Sequence, residues 1–307
     1  MSELNLWRRA FLGAVCSAGS TFAARQLFGQ EPQSRDQLRE PVYRVGRTTG
    51  DAAGAARAEK DAEHPLDAAL EIAHNGLHHI QGDIADYTCT FVKRERIKNK
   101  LGDYEYMFAK VRNRRMEGDQ IKVPFAIYLY FLKPDAMKGR EVIYVEGENS
   151  GKMVAHEGGI KGGLLPTVWI KPDSMLAMSG NRYPITEAGI ETLVLRLIEK
   201  GERDRKRDEC QVEFRKNAKI NGRVCTLLKV IHPVEREYFD FHKVEIFVDD
   251  EYQVPVRYAA YTWPTSAGGE APLLEEYTYL NMKLNVGLKA IDFDHTNPDY
   301  NFVRKKS

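Results

Sequence analysis

Gln211-Val212-Glu213-Phe214-Arg215-Lys216-Asn217-Ala218-Lys219, then Asn221-Gly222, then Val224-Cys225-Thr226-Leu227-Leu228-Lys229-Val230-Ile231 is the stretch that decides the fold class. Two runs suited to strands flank an Asn-Gly pair, which supplies the positive φ angles of a tight hairpin turn. Toward the C terminus, Val244, Ile246 and Val248 alternate with Glu245, Phe247 and Asp249, and residues 254–263 and 275–284 complete the set. Toward the N terminus, residues 87–94, 104–111, 125–132 and 142–146 are rich in aromatic and β-branched side chains. Gly102-Asp103 and the turn at 147–151 separate some of them, and such short connections predict antiparallel pairing.

Helical spacing appears twice. Leu66, Ala69, Leu70, Ala73, Leu77 and Ile80 predict an amphipathic helix over residues 65–83, with Pro65 in its first turn. Ile190, Leu193, Val194, Leu197 and Ile198 predict a second over residues 186–200, capped by Thr186 and stopped by Gly201. Together these elements predict an α+β fold. A curved antiparallel sheet, an incomplete barrel of about nine or more strands, carries helices on or in its concave face.

Residues 1–30 hold Arg8-Arg9-Ala10-Phe11-Leu12 followed by a small, mildly apolar run. This is the pattern of a cleavable twin-arginine-type signal, and the run is too short and glycine-rich for a membrane helix. Trp7 and Gly13 depart from the pattern, so an ordinary secretory signal stays open. Residues 31–63 are polar and Ala-, Gly- and Arg-rich without apolar periodicity, as in a flexible linker. Residues 64–307 then form one domain, exported to the periplasm or beyond, with no transmembrane helix.

The chain has 307 residues, with 45 basic against 44 acidic side chains, which excludes a strongly basic nucleic-acid footprint. Cys16 lies in the leader, and Cys89, Cys210 and Cys225 show no C-x-x-C spacing. A zinc site is therefore not expected, and Cys210 could pair with Cys225 in one hairpin register only.

Few residues fall in a pattern that carries recognisable chemistry. His74 and His78 sit one turn apart beside His79, but the Glu of H-E-x-x-H and a third ligand are missing. Gly147 to Lys152 falls one residue short of phosphate-loop spacing. Ser150, Ser174 and Ser179 lack a nucleophile setting, and the paired glycines at 158–159 and 162–163 read as a mobile loop. No catalytic residue, metal or cofactor is expected, and the reading leans away from an enzyme. Arg94, Arg96, Arg112, Arg114 and Arg115 form a basic tract suited to anionic headgroups or an acidic partner, or to a solvated sheet face. Residues 125–132 are apolar on both alternating sets, so that strand is covered on both sides or faces an apolar hollow. The expected function is the binding of a hydrophobic ligand. Phe108, Tyr128, Tyr130, Tyr144, Trp169 and Tyr258 are the expected lining. A protein-interaction or sensor module of the envelope, and an envelope enzyme without a recognisable motif, are the alternatives.

Four stretches carry a family resemblance: residues 87–96, from Tyr87 through Lys93-Arg94-Glu95-Arg96; Pro124 to Pro134; Gly139-Arg140-Glu141-Val142-Ile143-Tyr144-Val145-Glu146-Gly147; and Arg182-Tyr183-Pro184-Ile185. They resemble the domain-of-unknown-function family 1571 over about residues 65–305. More distantly, residues 244–249, 254–258, 276–285 and 292–294 resemble the lipoprotein-carrier (LolA-like) fold and the periplasmic regulator of an anti-sigma factor. That resemblance implies an incomplete barrel with helices inside and a hollow for acyl chains, so the ligand it implies is an acyl chain of a lipid or lipoprotein.

Overall fold

The computed structural model describes residues 43–44 and 64–302, apart from Gly163, Asp208 and Ala267. The expected leader, the rest of the expected linker and residues 303–307 lie outside the described residues. Among the described residues, fifteen strands follow the chain: β1 Tyr43–Arg44, β2 Asp86–Ile97, β3 Lys100–Leu101, β4 Glu105–Arg112, β5 Arg115–Glu117, β6 Gln120–Val123, β7 Ala126–Lys133, β8 Glu141–Val145, β9 Met153–His156, β10 Val168–Ile170, β11 Gln211–Ile220, β12 Arg223–Ile231, β13 Lys243–Asp249, β14 Pro255–Tyr261 and β15 Leu273–Leu284. Two long helices, α1 Asp67–Asp83 and α2 Ile190–Arg205, complete the α+β fold.

One antiparallel sheet runs β1-β11-β12-β13-β14-β15-β2-β4-β7-β8-β9-β10, with β3 on β2; β5 and β6 form a separate hairpin. The sheet is curved and does not close, since β1 and β10 are its two edges. Register shifts interrupt the β11–β12, β13–β14, β14–β15, β15–β2 and β4–β7 ladders, and each such bulge bends and twists its strand. β15 lies beside β2 and so welds the C-terminal meander to the N-terminal one. Part of the expected linker is ordered as a strand, because Tyr43 and Arg44 pair with Ile220 and Lys219.

The helices lie antiparallel. Asp67 at the start of α1 pairs with Arg205 at the end of α2, and Gln81 near the end of α1 bonds Glu191 near the start of α2 (3.0 Å). Helix α2 begins at Ile190, later than Thr186, which lies in a 3-10 turn, Ile185–Glu187. The reason is local: Gly189 adopts φ 102°, and the buried Tyr87 hydroxyl accepts the Ile190 N–H (3.1 Å), meeting one orphan donor of the first turn. Nor does Gly201 stop the helix. It sits inside α2 where α1 crosses, and a Cβ there would stand 2.9 Å from Leu70 Cδ2. The last carbonyls of α1 are met from outside: Asn285 donates to Asp83 O (2.8 Å), Asn113 to Ile84 O (2.9 Å) and Arg115 to Ile80 O (3.4 Å).

Cross-strand partners Cys89, Ala109, Leu129 and Val142 face Ile80 of α1 and Ile190, Val194 and Ile198 of α2 in the main core. The other face of β7 carries Ala126 and Tyr128, covered by Phe293, Tyr300 and Phe302 of the C-terminal segment. Tyr128 and Tyr300 stack at 4.2 Å, while Lys110 bonds Asp292 (2.6 Å) and the Tyr300 hydroxyl (3.0 Å). The two apolar faces of residues 125–132 are thus both covered by the chain itself.

Candidate functional site

A third core cluster, between the helix pair and β12–β14, is incompletely filled. A cavity of about 80 Å³ remains there. Leu66, just before α1, and Ala69, Leu70, Ile72, Ala73 and Gly76 on it line one side, and Val194, Leu197 and Gly201 of α2 another. Leu228 and Val230 of β12, Val244, Ile246 and Val248 of β13, Phe241 and Pro255 form its floor. The sheet residues recur at i, i+2, so one strand face is presented, as the pleat requires. The space exists because α1 offers Ala69, Ala73 and Gly76 to the sheet; Gly76 sits above Gln253, whose carbonyl would be 3.5 Å from an added Cβ. Ile72, on the same helix, is 38% exposed and marks the mouth.

Among the described residues, polar side chains touch this cavity only at Lys200, Asp204 and Gln253. Lys200 runs its stem along the apolar wall and holds Asp240 by its ammonium (2.5 Å), and Arg203 Nη2 reaches the same carboxylate oxygen (3.2 Å). Burial pushes the Asp240 carboxyl up, but Lys200 and Arg203 outweigh that and leave it below its ordinary value. Behind the rim, buried Asp204 accepts from Arg203 Nε (2.9 Å) and faces His232 Nε2 at 3.5 Å. His232 is fully buried, donates through Nδ1 to Phe241 O (3.0 Å) and stacks on Phe239 at 3.8 Å. Burial holds its imidazole below the ordinary value.

A second polar cluster lies across β15, β2 and β4. Glu275 and Glu95 are direct cross-strand partners, as are Lys93 and Glu105. Two carboxylates facing each other across a ladder repel, so cations must offset them. Arg182 Nε donates to Glu275 (2.6 Å) and its backbone N–H to Glu95 (3.1 Å). Lys93 sits 3.4 Å from Glu95 and 3.5 Å from Glu105 and bonds Asn181. Hydroxyls of Tyr183 (3.3 Å) and Tyr258 (3.2 Å) donate to Glu275, and that of Tyr277 to Glu95 (2.7 Å). Burial raises Glu275 and Glu105 above the ordinary carboxyl value despite these cations. This cluster gathers residues from two of the stretches that carried the family resemblance. Its chemistry is that of a clamp: residues 181–183 are fastened down on the sheet.

The six aromatic residues expected to line one hollow divide among three clusters. Phe108, Tyr128, Tyr130 and Trp169 meet on the face under the C-terminal segment, where Trp169 also meets His295 edge-on at 5.3 Å. Tyr144 belongs to the main core and Tyr258 to the cluster around the cavity, though neither borders the cavity itself. The basic tract is split as well. Arg112 pairs with Asp86, eight residues along β2 from Arg94, or roughly 27 Å of strand. Arg94 bonds Gly102 O (2.9 Å), Arg96 bonds Leu273 O (2.8 Å) and Asn99 O (2.8 Å), Arg112 bonds Pro124 O (3.2 Å), and Arg114 grips Glu146 in a fork (2.8 and 2.6 Å). His74 faces Glu202 (3.3 Å) and His79 faces Asp83 (2.9 Å); among the described residues no group of His, Cys, Asp or Glu is arranged to hold a metal. Cys225 pairs with Ala218 near the hairpin turn, whereas Cys210 precedes the far end at Gln211–Ile231, so the two cannot bond. No described helix is long and apolar enough to cross a membrane. The cavity itself was missed by sequence reasoning; Ala69, Ala73 and Gly76, small residues along one helix face, were the signal available.

Solved structures similar to this chain include MucB, at 14% identity and TM-score 0.42, with 74% of this chain and 62% of that chain covered. A putative outer membrane lipoprotein-sorting protein domain from Vibrio parahaemolyticus matches at 13% identity and TM-score 0.34, covering 73% of this chain and 95% of that one. A DUF1329 family protein from Desulfovibrio piger matches at 12% identity and TM-score 0.36, covering 76% and 98%. No curated protein matches the sequence. Residues 84–302, most of the described chain, match the family described as protein of unknown function (DUF1571), and the chain belongs to that family.

Proposed function

We propose that this protein binds a hydrophobic chain, an acyl chain of a lipid or lipoprotein, between the α1–α2 pair and the sheet. The observation that carries the reading is the apolar cavity at that seam, open beside Ile72. At about 80 Å³ it is smaller than the roughly 300–1,000 Å³ of sites that hold drug-sized ligands. A chain therefore enters as α1 lifts from the floor. The start of α1 is tied to α2 by the surface pair Asp67–Arg205, which contributes little, whereas its end is held by Asn113, Asn285 and Arg115, so it is the N-terminal half of α1 that lifts. Burial of the incoming chain offsets the helix-on-sheet packing that the lifted helix gives up, at roughly 25 cal/mol per Å² before the costs of binding. The twin-arginine-type leader supports export, so the binding takes place outside the cytoplasm. Native mass spectrometry of protein purified without detergent tests the reading: an acyl ligand released on unfolding supports it, and bare protein that also takes up no added fatty acid refutes it.

One observation favours an envelope protein partner as a second reading. The edge strand β10 lies between Leu164, 78% exposed, and Met175, 82% exposed, which offers a backbone edge with apolar flanks. A stoichiometric protein captured from envelope extract, and no longer captured when Leu164 and Met175 are both replaced by Ser, would support that reading.

A further inference from the structure

The cavity has one charged rim, and that rim already holds a carboxylate. Lys200 and Arg203 stand three residues apart on α2 and converge on Asp240. Asp240 is not part of the sheet or of a helix. It belongs to the loop between β12 and β13, whose neck is closed where His232 N–H donates to His242 O (2.7 Å). Phe239 and Phe241 hook that loop onto His232, at 3.8 and 4.8 Å, and Phe241 is itself a wall of the cavity. The Asp240 side chain is 42% exposed and meets both cations at the water boundary, while the stem of Lys200 leads inward along the apolar lining. With Asp204 already matched to Arg203 Nε, displacement of Asp240 leaves this rim one positive charge in excess.

We propose that the Lys200–Arg203 seat is the headgroup subsite of the cavity, and that it takes the carboxylate or phosphate of an anionic amphiphile in place of Asp240. The inference rests on the chain-binding reading and adds the chemical class of the ligand. The chain lies under α1, the anionic end sits on the two cations, and the freed Asp240 lets the β12–β13 loop swing out. Asp240 is then an internal competitor, an anion of the protein's own that holds the seat until a ligand arrives.

Titration of the full-length protein with dodecanoate, dodecyl phosphate, dodecanol and dodecyltrimethylammonium, each kept monomeric, tests this. Both anions should bind roughly three- to tenfold tighter than the alcohol, and the cation weaker than the alcohol. The order of the two anions tells a carboxylate ligand from a phosphate one. Asp240→Asn should widen the anion-to-alcohol ratio, and Lys200→Gln should bring it toward one. Equal affinity for all four, or a ratio that neither variant moves, overturns the headgroup subsite while leaving chain binding intact. Binding of none of the four overturns the chain-binding reading itself.

Discussion

Filling the cavity should stabilise the protein and at the same time abolish its binding. Ala73→Leu adds three carbons from the α1 side, and Val244→Ile adds one from the floor; both positions border the space. A closed apolar cavity costs about 24 cal/mol per Å³, so about 80 Å³ sets a ceiling of about 2 kcal/mol for this one, which opens beside Ile72. Imperfect fit returns about 1 kcal/mol of that as strain, since overpacking is penalised too. A net gain of up to about 1 kcal/mol should raise the melting temperature of the ligand-free protein, by at most about 2–4 °C. The same variant should bind dodecanoate at least tenfold more weakly, because the added carbons occupy the ligand's place. Calorimetric melting of delipidated protein and a fluorescence titration read the two quantities separately. An Ala73→Leu protein that melts lower yet binds dodecanoate as tightly as the wild type would refute the reasoning, since the chain would then have to sit elsewhere.

Three further outcomes follow from the packing and charge described above. Gly201→Leu should cost up to about 2 kcal/mol, the clash with Leu70 outweighing the roughly 0.7 kcal/mol that helix propensity returns, and adding Leu70→Ala should restore part of the loss in urea denaturation. Asp249→Ala should cost about 2–3 kcal/mol. Its fully buried carboxylate grips Arg223 (2.8 Å to Nη2) and accepts the Glu251 and Tyr252 N–H groups, and the partial exposure of Arg223 trims the penalty of an orphaned charge. Glu275 is raised by burial, so in its ionised form it opposes folding, and its contribution improves as pH falls through its folded pKa toward the ordinary value of 4.5. The melting temperature of wild type relative to Glu275→Gln should therefore rise as the pH is lowered from 8 to 4.5. The comparison cancels His156 and His232, which burial lowers and which act in the opposite direction as they charge. A flat difference across that range would contradict the burial of Glu275.

The strands were legible because their side chains alternate or branch: the Asn221-Gly222 hairpin appears with the register its turn implies. Both long helices were legible in their apolar spacing, but not their ends. Residue types alone do not say that Tyr87 waits above Gly189, or that Gly201 is a crossing point. Short strands such as β9 and β10 carry too few residues for a period, and neighbouring glycines hid them; Gly158 is there because a Cβ would come within 2.1 Å of Gly139 C. The aromatic residues were misgrouped for a reason of parity. Phe108 lies opposite Tyr130 on one face, but Tyr144 lies opposite Ile127 on the other, and only the register separates them. The clamp at Glu95 and Glu275 depends on β15 lying beside β2, a pairing between residues 180 positions apart that no local pattern announces.

Methyl NMR of the full-length protein during titration with dodecanoate places the ligand most directly. A chain bound in the cavity shifts Leu70, Leu197, Leu228, Val230, Val244 and Ile246, which surround it. Unmoved signals there, with shifts instead at Ile143, Val145 and Val154 beneath the C-terminal segment, would contradict that placement.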